Sequence, residues 1–251
     1  MNMMDKFRGS SLPVGKLILV AIVGIVSLYL VFQCIVDVPA NKVGVLIKKT
    51  GESLPPGKVV APDDSFAGIQ QEVLSTGWHI INPFTSEVEV VDAIFIPQER
   101  FGLVNRKSGK APTNTNDILK PDGERGFQKS LLEPGTHFLN PHVHEVTVVK
   151  PLRIPALHVG VITSQTGKPT TNDLVKKGER GLREDVLRPG VHIINPKGYT
   201  VEVVPAIDIS PGKVGVVRSK FGEKVFDDLV KPGQRGIWRK ILHPGTYNWN
   251  T

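Results

Sequence analysis

Leu74-Ser75-Thr76-Gly77-Trp78-His79-Ile80-Ile81-Asn82-Pro83 is the stretch that decides the fold, because the chain says it again. The pattern L-x-x-G-x-H-x-x-N-P returns at Leu132–Pro141 and Leu187–Pro196, and an altered copy runs from Leu242 to Thr251 with Tyr247 in the histidine position. Its glycines, Gly77, Gly135, Gly190 and Gly245, stand 58, 55 and 55 residues apart. Six residues ahead of each phrase lies another glycine: Gly68, Gly126, Gly181 and Gly236. An apolar–Gly–apolar triplet opens each copy, at Val43–Val45, Phe101–Leu103, Val159–Val161 and Val214–Val216. Five residues before those central glycines sit Pro39, Pro97, Pro155 and Ser210. Landmarks held in register at a fixed period are the signature of a tandem repeat.

Each repeat reads as a small β module. Runs such as Val43–Ile47 are short, β-branched and bounded by turn residues, as buried strands are. The glycine inside the run marks a bulge or a close backbone approach. A variable polar segment follows, with Pro55-Pro56-Gly57 in the first copy and Thr113–Asn116 in the second, and reads as a loop. Gly68–Leu74, Gly126–Leu132, Gly181–Leu187 and Gly236–Leu242 read as strands. Pro134-Gly135, Pro189-Gly190 and Pro244-Gly245 predict type II turns, proline presetting φ and glycine supplying a positive one. His79–Ile81 reads as a further strand stopped by Asn82-Pro83. Glu87–Val91 and Thr200–Val204 alternate with period two, one face buried and one solvated.

The expected fold is therefore mainly β: one N-terminal transmembrane helix, then tandem antiparallel modules of 55–58 residues, three full and one partial. The segments are a tail over 1–16, a membrane helix over 17–36, repeats over 37–97, 98–155 and 156–210, and a partial repeat over 211–251. Units this small lie near the limit of independent stability, so neighbours are expected to bury one another's apolar surface.

Leu17–Val36 contains no charge over twenty residues. As a helix it spans about 30 Å, the thickness of a bilayer's hydrocarbon core. The run is longer than a signal-peptide core, and Phe32-Gln33-Cys34 is a poor cleavage site, so a retained single-pass anchor is expected. Lys6, Arg8 and Lys16 precede the span, while Asp37 follows it. That asymmetry favours a cytoplasmic N-terminus and places the bulk of the chain on the outer, or periplasmic, side.

The formal charge of +7 is spread among acidic neighbours, as in Glu124-Arg125 and Glu179-Arg180. Nucleic-acid binding needs a clustered basic stripe with stacking aromatics. Neither is present, so no nucleic-acid partner is expected. The single cysteine, Cys34, excludes an intramolecular disulfide and a cysteine-based metal site.

His79, His137 and His192 recur at equivalent positions and invite a metal reading. Successive copies lie a module apart, and no second ligand sits at metal spacing. Packing or hydrogen bonding within each module is the better account, and Tyr247 preserves both size and hydrogen bonding. His142 and His144 form a His-x-His in one copy only. Asp63-Asp64 and Asp227-Asp228 lack a calcium-loop pattern, and no phosphate loop, nucleophile elbow or HExxH occurs. No catalytic, cofactor-binding or metal residue is assigned, and the chain reads as a non-enzyme. The motif residues Gly77, His79, Asn82, Pro83, Gly135, His137, Asn140, Pro141, Gly190, His192, Asn195, Pro196, Gly245 and Tyr247 take structural roles.

Val38-Pro39-Ala40-Asn41-Lys42-Val43-Gly44-Val45, followed by Leu74–Phe84, resembles the start of the SPFH (band 7) superfamily, which includes stomatin, prohibitin and flotillin. The order is the same: membrane segment, V-P-x-x-x-V-G-V, then L-x-P-G-x-H-x-x-x-P-F. The tandem modules are also loosely similar to those of the major vault protein. The resemblance covers the N-terminal β portion of a band 7 domain. It implies a membrane-bound scaffold that contacts lipid, forms homo-oligomers, organises lateral domains and holds partners such as membrane proteases. It carries no catalytic residues. The chain departs from the family in having four β units rather than one, and no long Ala/Glu-rich assembly helix.

Copy four stops at Asn250-Thr251, before the alternating strand of the other three. A longer parent, or a last module that needs a partner, is expected on that ground. Two further readings stand beside the scaffold: an extracytoplasmic β-repeat protein that binds ligand or polymer, and a hydrolase hidden in the variable loops around His137, His142 and His144.

Overall fold

The computed structural model describes residues 14–249. It opens with a helix, Val14–Gln33, followed among the described residues by strands alone. The protein is mainly β, with one apolar helix and multiple small antiparallel sheets. The tail residues Lys6 and Arg8, and Asn250-Thr251 at the other end, lie outside the described residues.

The helix ends earlier than the apolar run. Ile35–Val38 is a strand, paired antiparallel with Gly77–Ile80 so that Ile35 faces Ile80 and Val38 faces Gly77. Hydropathy counts Ile35 and Val36 with the helix because they are apolar. Both are β-branched, however, and a free strand offers their backbone groups a ladder.

The chain divides into two compact units, one of residues up to Ala93 with Phe138–Asn140, the other of Ile94–His137 and Pro141 onward. In the first, the opening strand Lys42–Lys48 is the centre of a three-stranded sheet, flanked antiparallel by Gly68–Leu74 and Ser86–Asp92. In the second, Phe101–Arg106 lies between Gly126–Leu132 and His144–Val149, and His158–Ser164 lies between Glu179–Leu187 and Tyr199–Pro205. The opening strands slip register against the middle strands between Val45 and Ile47, Leu103 and Asn105, and Val161 and Thr163. This is the irregularity that the internal glycine announces.

Each sheet is joined to a two-stranded ribbon. The later ribbons pair Ile94–Ile96 with Gly135–His137, Leu152–Ile154 with Gly190–His192, and Ile207–Ile209 with Gly245–Tyr247. Residues assigned by sequence to the end of one repeat thus form the first strand of the next. The module boundaries fall before Ile94, Leu152 and Ile207 rather than at Pro97, Pro155 and Ser210, because strand pairing and not the proline defines the unit.

The boundary residues make a tight turn instead. Lys42, Arg100, His158 and Lys213 donate their amides to the carbonyls of Pro39, Pro97, Pro155 and Ser210 at 3.1–3.3 Å. The residue before each donor is left-handed: Asn41 at φ 63°, Glu99 at 59°, Leu157 at 61° and Gly212 at 80°. The Pro–Gly steps expected as type II turns are bends, with Gly135, Gly190 and Gly245 already the first residues of ribbon strands. Their φ values of 141°, 144° and 149° still demand glycine. The reason is topological: the flanking strands belong to different sheets, so the chain must swing between layers rather than fold back on itself.

The segment expected to be a plain loop contributes to the core. Leu119–Lys120 runs parallel to Gly126–Leu132, and Val60, Val175 and Val230 make parallel bridges to Ile69, Arg183 and Trp238. Val60, Leu119, Val175 and Val230 are all buried. The rest of each core is a thin layer between ribbon and sheet, such as Val38, Val43 and Val45, or Ile154, Val159 and Val161. Contact there is close. A Cβ on Gly160 would stand 2.7 Å from Ile154 Cδ1 and 2.9 Å from Val201 Cγ1.

Candidate functional site

The repeated phrase builds the same small lock four times. His79 Nε2 bonds the Ser75 carbonyl at 2.7 Å, His137 Nε2 the Glu133 carbonyl at 2.8 Å, and His192 Nε2 the Arg188 carbonyl at 2.7 Å. In copy four the Tyr247 hydroxyl donates to the His243 carbonyl at 2.9 Å. Each side chain reaches back four residues across the glycine bend, fixing the angle at which the chain passes from sheet to ribbon. A ring N–H and a phenol O–H serve equally, since only a donor at that reach is needed.

The motif asparagines cap the turn that follows. Asn82 Oδ1 accepts the Phe84 amide at 3.0 Å, and Asn195 Oδ1 accepts the Lys197 amide at 3.0 Å. Pro83, Pro141 and Pro196 follow in the turn and end the preceding strand. Asn140 and Asn195 do more than cap. Asn140 is buried and its Nδ2 donates to the Gln70 carbonyl at 2.7 Å, which ties Phe138–Asn140 to the first compact unit. Asn195, also buried, donates in the same way to the Gln128 carbonyl at 3.0 Å within the second unit. Gln70 and Gln128 hold equivalent places in successive repeats. Both are buried, with their own Nε2 groups bonded to nearby carbonyls. The asparagine is therefore a peg from one repeat into the preceding one.

Among the described residues, no group of three or more His, Cys, Asp or Glu side chains lies close enough to hold a metal ion. His144 heads the strand His144–Val149 opposite Arg106, and His142 lies in the turn before it. Two carboxyls are held below their ordinary range, both by local bonds in loops. The Ser65 hydroxyl and amide donate to Asp63, and the Thr113 hydroxyl and amide donate to Glu124. These clamps order exposed segments and are not arranged around a cavity. Charged residues elsewhere form cross-strand pairs, Lys42–Asp92 at 3.2 Å, Lys49–Glu87 at 3.4 Å and Lys107–Glu145 at 3.6 Å.

The surface feature with functional character lies where the helix meets the first ribbon. Only Cys34 separates Gln33 from Ile35, and the Cys34 carbonyl accepts the Ile81 amide at 2.7 Å. The ribbon's outward face carries Trp78 and Ile80, 77% and 86% exposed, and Phe84 in the adjoining turn is 73% exposed. The helix is not buried against the modules anywhere along its apolar window. Helix and patch thus form a continuous apolar surface. Motif reading passed over Trp78, Ile80 and Phe84 because they fall at its variable or flanking places. Their size beside an uncharged helix was the available signal. No protein-family model matches the chain, and no curated protein is significantly similar to it.

Proposed function

We propose that the chain is a non-enzymatic, membrane-anchored scaffold of the SPFH (band 7) type, self-associating and organising membrane or partner proteins. The observation that carries this is the rigid junction of helix and first ribbon. Gly15–Gln33 is long and apolar enough to cross a membrane, a test that a signal sequence near an N-terminus also passes. A helix can cross because its backbone bonds are satisfied internally. Trp78, Ile80 and Phe84 then lie at the depth where aromatic belts favour the interface. Outward ribbon faces in later modules also keep large apolar groups, Phe95 and Phe138, and Val191 and Ile193. Such faces suit lateral contact between chains. In this reading the N-terminus is cytoplasmic, the modules lie on the outer or periplasmic side, and membrane proteins such as proteases are among the partners held.

The test is the mass of the detergent-extracted protein, by light scattering and single-particle imaging. A large, discrete, closed particle is expected. A monomer at all attainable concentrations would rule out self-association through these modules.

A further inference from the structure

In three modules the opening strand is bonded along both edges, whereas in the fourth it is bonded along one. Gly215 exchanges both backbone bonds with Leu242, and the Val217 carbonyl accepts the Trp238 amide at 2.9 Å. Val214 and Val216, whose backbone groups point the other way, make no backbone bond among the described residues. Their side chains are 58% and 67% exposed, where the equivalent Val43, Val45, Val159 and Val161 are 0%, 0%, 0% and 8% exposed. A groove of about 1240 Å³ opens there, lined by Ile209, Val216, Val217, Trp238, Leu242 and Trp249. The Trp238 indole N–H is buried without an acceptor.

The other modules define what fits. Gly44 lies opposite Val90, Gly102 opposite Val148 and Gly160 opposite Val203, each on an antiparallel closing strand. The valine two residues earlier, Val88, Val146 or Val201, puts a methyl 3.0, 3.0 or 2.9 Å from where a glycine Cβ would stand. At Gly215 the nearest atoms belong to Ile209 and Leu242 alone. The bare glycine is a socket for a valine that is not there.

We propose that the Val214–Val217 edge accepts an extended segment of a second, different polypeptide, with the x-V-x-V-V pattern of Tyr199–Pro205, added antiparallel as a closing strand. Backbone bonds give such an addition its affinity and alternate side-chain sockets its selectivity. A second copy of this chain is a poor donor, because Ser86–Asp92, His144–Val149 and Tyr199–Pro205 are each engaged in their own sheets. A sugar polymer would not match backbone groups repeating at strand spacing. This inference goes beyond the scaffold reading and does not depend on it.

The test uses the full chain in nanodiscs and a fluorescent peptide copying Tyr199–Ala206. Saturable binding by anisotropy is expected, together with slowed amide exchange at Val214 and Val216. A peptide carrying the change V201D should bind at least tenfold more weakly. Val216→Asp in the protein should weaken binding similarly; the site is exposed, so the variant tests the groove without disturbing a core. Absent binding, equal binding of the V201D peptide, or protection elsewhere would overturn the proposal. So would protection of the same amides that rises with protein concentration and resists displacement by peptide, which would mean self-pairing.

Discussion

Leu157 sits at φ 61°, a conformation in which its Cβ crowds the neighbouring carbonyl. The equivalent residue in the first module is Asn41, which tolerates that region through local hydrogen bonding. Leu157 is also exposed, so its side chain contributes little packing. Leu157→Asn is expected to stabilise the protein by about 1 kcal/mol, read as a higher denaturation midpoint with unchanged slope. The histidine lock makes a second prediction at this scale. His192→Ala removes one bond to a backbone carbonyl and should cost about 1 kcal/mol, while His192→Tyr should be close to neutral because copy four already uses tyrosine there. Equal losses in the two variants would show that something other than the bond to the Arg188 carbonyl keeps histidine in place.

At the scale of elements, the segment between opening and middle strands is the least regular part of each module, and in the second it is pinned by a carboxylate. Glu124, held low chiefly by the Thr113 hydroxyl and then by its amide, binds fewer protons folded than unfolded. Its contribution is complete above the unfolded value, near 4.3, and is lost as pH falls through the lower folded one. Amides from Lys110 to Glu124 should therefore lose exchange protection below about pH 4, and Glu124→Gln should show weakened protection with no such step. A step that persists in the variant would assign the effect to another carboxyl. The strands themselves were legible: Gly68–Leu74 and Gly126–Leu132 have the bounds the repeat predicts. The parallel bridges made by Val60, Val175 and Val230 were not, because one buried valine in a polar segment has no periodicity to reveal it.

For the whole molecule the decisive relation is between the helix and the ribbon it enters. Only three tryptophans occur, so Trp238→Phe with Trp249→Phe leaves Trp78 as sole reporter. In nanodiscs containing brominated lipid, Trp78 emission is expected to be blue-shifted and quenched relative to the same discs without bromine. Unquenched, red emission would place the first ribbon away from the interface and remove the main support for the membrane reading. The two-unit division also belongs to this scale. Phe138–Asn140 joins the first unit because Asn140 is pegged to Gln70, although sequence counts it in the second repeat.

The sequence by itself determined the repeat, the β class, the apolar helix and the places where glycine, proline and a ring donor must recur. These are local requirements: backbone angle, side-chain reach and hydrophobic period are written in neighbouring residues. Tertiary structure alone decided that Ile35 and Val36 leave the helix, that the Pro–Gly steps swing between sheets, and that each ribbon borrows its first strand from the repeat before. It also decided that Asn140 and Asn195 reach carbonyls 70 and 67 residues away and that Val214 and Val216 stand uncovered. Pairing and coverage depend on which distant segment arrives at an edge, and a sequence read along the chain holds no record of that arrival.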